Sequence, residues 1–168
     1  MREPTPSLMR SRFFSGLVPA SVAKVAARVR PIVIEQGDVI FHEGDQGHSM
    51  FLVDEGEFVA LQAGERASIK LLRFRPGDFF GVTSLVKVAP RPWTVAAATP
   101  GRLLELTDAD FAALHKEDVE AYVLLLQNVV NELCHALRGA GDRVTELAEE
   151  SADGETTQIE LDRIPRIA

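Results

Sequence analysis

The 168-residue chain is poor in the residues that form disulfides and in the long apolar runs that cross membranes. Its one cysteine, Cys134, excludes an intramolecular disulfide and is typical of a reducing compartment. No apolar run approaches the ~20 residues needed to span a bilayer, and the N-terminus lacks the charged-then-apolar pattern of a signal peptide. We therefore expect a cytoplasmic protein with no membrane partner.

The sequence also lacks an excess of positive charge. It has 18 Lys and Arg against 25 Asp and Glu, which gives a formal net charge of −7. Proteins that bind nucleic acid unaided carry a basic face that releases counterions from the phosphates. The charge balance therefore predicts no DNA partner.

Known arrangements of catalytic and metal-binding residues are missing as well. The four histidines are scattered, and none forms a His-x-His pair with a downstream carboxylate. There is no Gly-x-Ser-x-Gly nucleophile motif and no phosphate-binding P-loop. The sequence therefore predicts no catalytic residue, no metal site and no cofactor beyond a bound ligand, so the protein is not expected to be an enzyme.

Short β-rich segments occupy residues 32–106. Turn signals such as Gly37-Asp38 and Pro76-Gly77-Asp78 separate them at spacings of roughly 8–12 residues, which indicates an all-β sandwich or barrel. A helix is predicted before them, from Pro19 to Arg30, and another after them, where Thr107 to Asp110 form a capping box. The predicted strands are 32–34, 39–41, 50–53, 58–61, 69–74, 94–97 and 103–106.

A long amphipathic helix is predicted from about residue 118 to residue 149. Apolar residues recur along it at alternating spacings of four and three, which is a heptad pattern that favours pairing with a second helix. The alternative is a single helix buried against its own domain. The predicted dimer contacts are Leu126, Val130, Leu133, Leu137, Ala140, Val144 and Leu147. Gly139 and Gly141 would weaken the helix by ~1 kcal/mol each, so any bend is expected there.

Several motifs in order resemble the cyclic-nucleotide-binding domain family. The segment Gly37-Asp38-Val39-Ile40-Phe41-His42-Glu43-Gly44-Asp45 is similar to the family's early strands. Phe79-Phe80-Gly81-Val82-Thr83-Ser84-Leu85 and Pro90-Arg91-Pro92-Trp93-Thr94-Val95 resemble its phosphate-binding cassette and closing motif. The resemblance covers residues 12 to 150 and implies a double-stranded β-helix, or jelly-roll barrel, with flanking helices and a long C-terminal dimerisation helix.

The resemblance divides the chain into four parts. These are a flexible N-terminus over 1–11, the barrel domain with its N-terminal helix over 12–117, the long helix over 118–150, and a tail over 151–168. The tail can contain a short strand at 159–161.

The same resemblance implies a ligand site in the cassette. The family holds a cyclic phosphate with backbone N–H groups and an Arg, and Arg91 stands at the position of that Arg. A surface role for Arg91 after a turn is the alternative. The implied ligand-binding residues are Phe80, Gly81, Val82, Thr83, Ser84, Leu85, Arg91, Pro92, Trp93 and Thr94.

Three positions depart from the family pattern. The Glu that bonds the ribose hydroxyl is replaced by Val82, and the residue after the Arg is Pro92, which has no N–H. The hydroxyl residues that reach the base in catabolite-activator relatives fall near Ala140 and Gly141. Each lost charge-assisted bond removes ~1.5–3 kcal/mol, so ordinary cAMP and cGMP are expected to bind weakly. Trp93 can stack on a base or plug the pocket.

Two functions follow from these features. The first is a regulatory ligand-sensing module that binds a cyclic mono- or dinucleotide or a related anion and signals through its dimer helix to a protein partner. The second is a dimeric interaction scaffold that has kept the fold and lost the ligand. Catabolite-activator relatives continue into a winged helix-turn-helix, and the roughly 18 residues after the long helix cannot form one.

Overall fold

The computed structural model describes residues 5–63, 68–86 and 89–151. In chain order the helices and strands are α1 (Pro6–Arg10), a 3-10 turn (Arg12–Phe14), α2 (Pro19–Ala26), β1 (Arg30–Ile34), β2 (Val39–Phe41), β3 (Ser49–Glu55), β4 (Phe58–Ala63), β5 (Ser68–Phe74), β6 (Phe79–Phe80), α3 (Thr83–Val86), β7 (Thr94–Ala97), β8 (Gly101–Thr107), α4 (Asp108–Glu117) and α5 (Val119–Ser151).

The strands form two four-stranded antiparallel sheets, which confirms the predicted fold. One sheet has the order β1-β8-β3-β6 and the other has the order β2-β7-β4-β5. All seven predicted strands are present, most of them longer than predicted by one or two residues at an end. The sequence patterns missed β6, because two residues are too short a run to show alternation.

Two hydrophobic cores lie on opposite faces of the first sheet. Along β3, Met50 and Leu52 pack against the helices, whereas Phe51 and Val53 face the interior between the sheets. A strand in this position is buried on both faces, and β3 is buried at every position except its last. The interior core is rich in aromatic rings, with Phe80 in contact with four other phenylalanines.

The helix α1 lies within residues 1–11, which were expected to form a flexible N-terminus. Leu8 is buried in the helical core, and the hydroxyls of Thr5 and Ser7 both donate to Asp54 Oδ1 at the end of β3. Asp54 Oδ2 accepts from Arg102 Nε at 2.5 Å. These bonds explain why a short polar segment with two prolines folds as a helix.

The predicted helix boundaries need one correction. The helix predicted to reach Arg30 ends at Ala26, because Arg30 precedes Pro31 and is driven into the extended conformation that begins β1. The N-cap half of the predicted capping box is confirmed, since Thr107 Oγ1 accepts from the Asp110 N–H at 3.1 Å. The Asp110 carboxylate accepts from the Thr107 hydroxyl at 2.6 Å.

The long helix α5 belongs to two compact units, Met1–Val129 and Val130–Ala168. Its first turns lie in the unit that contains the sheets, because Ala121, Leu125 and Val129 are buried there. That unit therefore continues beyond residue 117, where the barrel domain had been expected to end. Leu126 is half-buried against the same core, so a role for it in a dimer seam is at most partial.

In the second unit the predicted seam is exposed along α5. Val130, Leu133, Leu137, Ala140 and Val144 are all exposed in the single chain. The helix continues through Gly139 and Gly141. The side chain of Leu147 and the predicted strand at 159–161 lie outside the described residues. Within the described ranges, no helix combines the length and the hydropathy that a bilayer crossing requires.

Candidate functional site

The candidate site is built around Arg91, whose backbone is fixed by the loop between β2 and β3. The Arg91 N–H donates to the Asp45 carbonyl at 2.8 Å, and the Arg91 carbonyl accepts from the Gly44 N–H at 2.9 Å. The Gly47 N–H donates to the Ala89 carbonyl at 3.3 Å, which extends the pairing by one step. These hydrogen bonds fix the main chain of Arg91 independently of its side chain.

Arg91 is 5% exposed as a residue, and its guanidinium is held by three acceptors of the protein. Nη1 donates to Ser84 Oγ at 3.0 Å and to the Gly81 carbonyl at 3.3 Å, and Nη2 donates to the Ser49 carbonyl at 2.8 Å. Nε is buried and has no hydrogen-bond partner among the described residues. A buried donor without a partner is costly, so this atom indicates room for an acceptor that the described residues do not supply.

Two glycines allow the guanidinium to lie so close to the backbone. A Cβ at Gly47 would overlap Ser84 Oγ and lie 2.9 Å from Arg91 Nε, and a Cβ at Gly81 would lie 2.6 Å from Nη1. Gly81 also has a φ of +76°, a conformation that glycine adopts without strain. The glycine at position 47 is needed for space alone.

The guanidinium has an aromatic ring on one side and two carboxylates in its neighbourhood. Its central carbon lies 4.1 Å from the centre of the Phe41 ring, which is within range of a cation–π interaction. Burial lowers the pKa of Arg91, and the nearby Asp45 and Glu105 carboxylates raise it in part. Arginine stays charged throughout the physiological range, and among the described residues no carboxylate forms a salt bridge with it. The site therefore presents a buried positive charge without a bonded counter-ion.

The structure brings together only part of the predicted ligand set. Gly81, Ser84 and Arg91 meet directly, and Phe80 lies behind them in the interior core. The side chains of Val82, just before α3, and Leu85, within α3, are buried in the core beneath the helices. Both belong to the predicted ligand-binding set, and a contact through their backbone N–H groups stays a prediction.

The remaining predicted residues differ in their surroundings. Thr83 and Pro92 are exposed, and Trp93 is half-buried against the interior core. The hydroxyl of Thr94 accepts from the Glu43 N–H at 3.0 Å, so it secures the β2–β3 loop. Trp93 therefore remains the residue of this group best placed to respond to a ligand near Arg91.

Sequence reasoning missed three components of the site: Phe41, Gly47 and the Ser49 carbonyl. A glycine just before a strand is a known sign of close backbone approach, and Gly47 stands two residues before β3. Phe41 pairs with Val95 across β2 and β7, so knowledge of the register would have placed its ring near residues 91–93. A backbone carbonyl carries no residue-type signal.

The arrangement fits an anionic group better than it fits a nucleoside. A charged guanidinium with an unpartnered N–H is suited to a phosphate oxygen. At the position where the family has a ribose-binding Glu, Val82 offers no acceptor and its side chain is buried in the core.

Comparisons with known proteins identify the family of this module. The family model described as the cyclic nucleotide-binding domain matches residues 31–118. A cAMP-dependent protein kinase regulatory subunit from Hypocrea atroviridis is 35% identical over 100 residues, which is 60% of this chain and 21% of that protein.

Two crystal structures are also similar. The N-terminal domain of a transcriptional regulator from Streptomyces coelicolor has a TM-score of 0.71 and 27% identity, covering 80% of this chain and 94% of that one. The catabolite activator protein of Thermus thermophilus has a TM-score of 0.73 and 27% identity, covering 82% of this chain and 63% of that one.

The chain spans only about a quarter of the length of the curated relatives it matches, with 21% for the Hypocrea protein and 25% for the next two. The likeness thus concerns one module of larger proteins. The family match extends over more than half of the chain and includes Arg91 and its acceptors. The chain therefore belongs to the cyclic nucleotide-binding domain family.

Proposed function

We propose that this protein is a regulatory sensor that binds a cyclic nucleotide or a related phosphate-containing anion at Arg91. The observation that carries the proposal is the buried Arg91 guanidinium, whose Nε has no partner and which forms no salt bridge among the described residues. The family match and the similarity to a regulatory subunit named for cAMP dependence support the same ligand class.

The ligand is expected to be held mainly by its phosphate. The position of the ribose-binding Glu is taken by Val82, which is buried in the helical core, and Pro92 supplies no N–H. Two such losses of ~1.5–3 kcal/mol each would move a micromolar affinity toward millimolar. Ordinary cAMP and cGMP should therefore bind weakly, whereas a cyclic dinucleotide or another phosphorylated metabolite fits better.

A titration against a panel of ligands tests the proposal. Trp93 is the only tryptophan in the chain, so its fluorescence reports on binding near Arg91 without an added label. We expect saturable changes with at least one cyclic mono- or dinucleotide, and a weaker response to cAMP and cGMP than to that ligand. A flat response to every member, confirmed by calorimetry, would contradict sensing.

That negative result would favour the second function, an interaction scaffold that has kept the fold without the ligand. The features that favour it are the replacement of the ribose-binding Glu by Val82 and the absence of an N–H at Pro92. In that case the guanidinium of Arg91 would have a structural role through Ser49, Gly81 and Ser84.

We further propose that a second copy of this chain covers the exposed seam of α5. The heptad spacing continues through Val130, Leu133, Leu137 and Val144, all of which are exposed in the single chain. Burying such residues in a parallel helix pair would give a homodimer whose helices carry the ligand signal to a protein partner. With a net charge of −7, this chain is not expected to use DNA as that partner.

A further inference from the structure

The N–H donors of the Arg91 guanidinium differ in whether the protein supplies them with an acceptor. An arginine side chain has five N–H donors, and three of those of Arg91 are used by the protein. Both hydrogens of Nη1 are directed to Ser84 Oγ and the Gly81 carbonyl, and one hydrogen of Nη2 is directed to Ser49. The donors that remain without a partner among the described residues are Nε–H and the second hydrogen of Nη2.

Ser84 is the only side chain among the three acceptors. It is almost completely buried, and its hydroxyl accepts from Nη1 and borders the space that a side chain at Gly47 would fill. The other two acceptors are backbone carbonyls, which belong to β3 and to the turn before α3. The orientation of the guanidinium plane is therefore set by two carbonyls and one hydroxyl.

We infer that Ser84 is a positioning residue, which holds Nη1 so that a bound anion must contact Arg91 through Nε and Nη2. The inference rests on the proposed function, because it concerns the way in which the same site receives its ligand. It gives the hydroxyl of Ser84 no contact with the ligand. A guanidinium fixed before the ligand arrives loses less conformational freedom on binding, so the fixed orientation raises the affinity.

Ser84→Ala is the direct test, with Ser15→Ala as the matched control. Both changes remove one serine hydroxyl, but Ser15 is exposed and lies outside the predicted ligand-binding set. With cAMP and inorganic phosphate as probes, we expect Ser84→Ala to weaken binding about tenfold and Ser15→Ala to leave it unchanged. Equal or tighter binding in Ser84→Ala would overturn the inference.

A spectroscopic signal separates positioning from a general loss of structure. The Nε–Hε resonance of Arg91, identified by its loss in Arg91→Lys, should be resolved in the free wild-type protein and should shift on adding cAMP. In Ser84→Ala the same resonance should broaden, while the rest of the amide spectrum keeps its dispersion. A resonance as sharp in Ser84→Ala as in the wild type would overturn the inference.

The two claims fail in different ways. If wild type binds no member of the ligand panel and the Nε–Hε resonance shifts with none of them, the proposed function is wrong. The free-protein comparison of wild type with Ser84→Ala does not need a ligand, so it still decides whether Ser84 fixes the guanidinium. If wild type binds cAMP and Ser84→Ala binds it equally well, the site binds its ligand but Ser84 does not position the Arg91 guanidinium.

Discussion

The guanidinium of Arg91 lies over the ring of Phe41, with 4.1 Å between its central carbon and the ring centre. Phe41 is buried in the core between the sheets and pairs with Val95 across β2 and β7. The Phe41 ring therefore stabilises the guanidinium charge on the side that faces the core, where water does not solvate it. A cation–π contact of this kind contributes ~0.5–2 kcal/mol.

Phe41→Leu should weaken anion binding while the protein remains folded. Removing the aromatic face from beneath Arg91 is expected to raise the Kd by roughly 3- to 30-fold, from the strength of the cation–π contact. The measurement is a calorimetric titration with the best ligand of the panel. Phe58→Leu is the matched control, because Phe58 is buried in the same core and is not among the rings that Arg91 contacts by cation–π interaction in the described residues. Similar losses of affinity in both variants would contradict the assigned role.

Gly47→Ala should displace the Arg91 side chain. The added methyl would overlap Ser84 Oγ and lie 2.9 Å from Arg91 Nε, so one of these groups must move. We expect loss of anion binding and a drop of ~1–3 kcal/mol in the free energy of unfolding, which is typical of overpacking. Urea unfolding and the Trp93 titration measure the two effects. Unchanged anion binding and an unchanged free energy of unfolding in Gly47→Ala would contradict close packing of Gly47 against Ser84 and Arg91.

The pattern of the sequence predicted the strands well because each depends on local alternation and on turn residues. The aromatic and β-branched segments and their Gly-Asp turns are sufficient for seven of the eight strands. The cassette was harder, since a resemblance can align Val82 and Leu85 with ligand-binding positions without showing which way their side chains point. In the structure both residues face the helical core.

Contacts between residues far apart in the chain account for most of what sequence reasoning missed. Asp54 binds Thr5 and Ser7 across almost fifty residues, and nothing in either segment alone indicates the pairing. Similarly, the role of Gly47 depends on where Ser84 and Arg91 are brought by the sheets. Periodicity detects which face of an element is apolar, and it does not detect which distant residue meets that face.

Asp118 should make stability depend on acid pH. It lies between α4 and α5, where its carboxylate accepts from Lys24 Nζ at 2.7 Å, from Ser21 Oγ at 2.9 Å and from the Ala121 N–H at 3.2 Å. The hydrogen bond from Lys24, followed by those from Ala121 and Ser21, lowers the pKa of Asp118 from 3.8 to about 2. The contribution of this carboxylate is therefore complete above about pH 4 and is lost as the pH falls toward 2.

Asp118→Asn should accordingly destabilise the protein at pH 6. The difference from the wild type should shrink as the pH falls from 4 toward 2, because the wild-type carboxylate then becomes neutral as well. Urea unfolding of both proteins at pH 6, 4 and 2.5 measures this difference. A difference that stays constant over the whole range would contradict the assigned pairing.

The α5 seam should hold a homodimer in solution. Replacing Leu133 and Leu137 with Asp would place charge in the apolar seam, at a cost of several kcal/mol, and should give monomers. The matched control replaces Asn131 and His135 with Asp, which adds the same charge at exposed positions outside the heptad seam. Light scattering at tens of micromolar should show a dimer for the wild type and the control. A monomeric wild type would contradict the proposal.

Anchoring of the phosphate by Arg91 is tested by a calorimetric titration of cAMP into the wild-type protein and into Arg91→Ala. We expect weak binding by the wild type, with a Kd well above the low micromolar range, because Val82 and Pro92 leave the nucleoside with few partners. We expect no measurable binding by Arg91→Ala, because the buried guanidinium is the anchor for the phosphate. Low-micromolar binding by the wild type would contradict the first prediction, and equal affinity in the two proteins would contradict the anchoring role of Arg91.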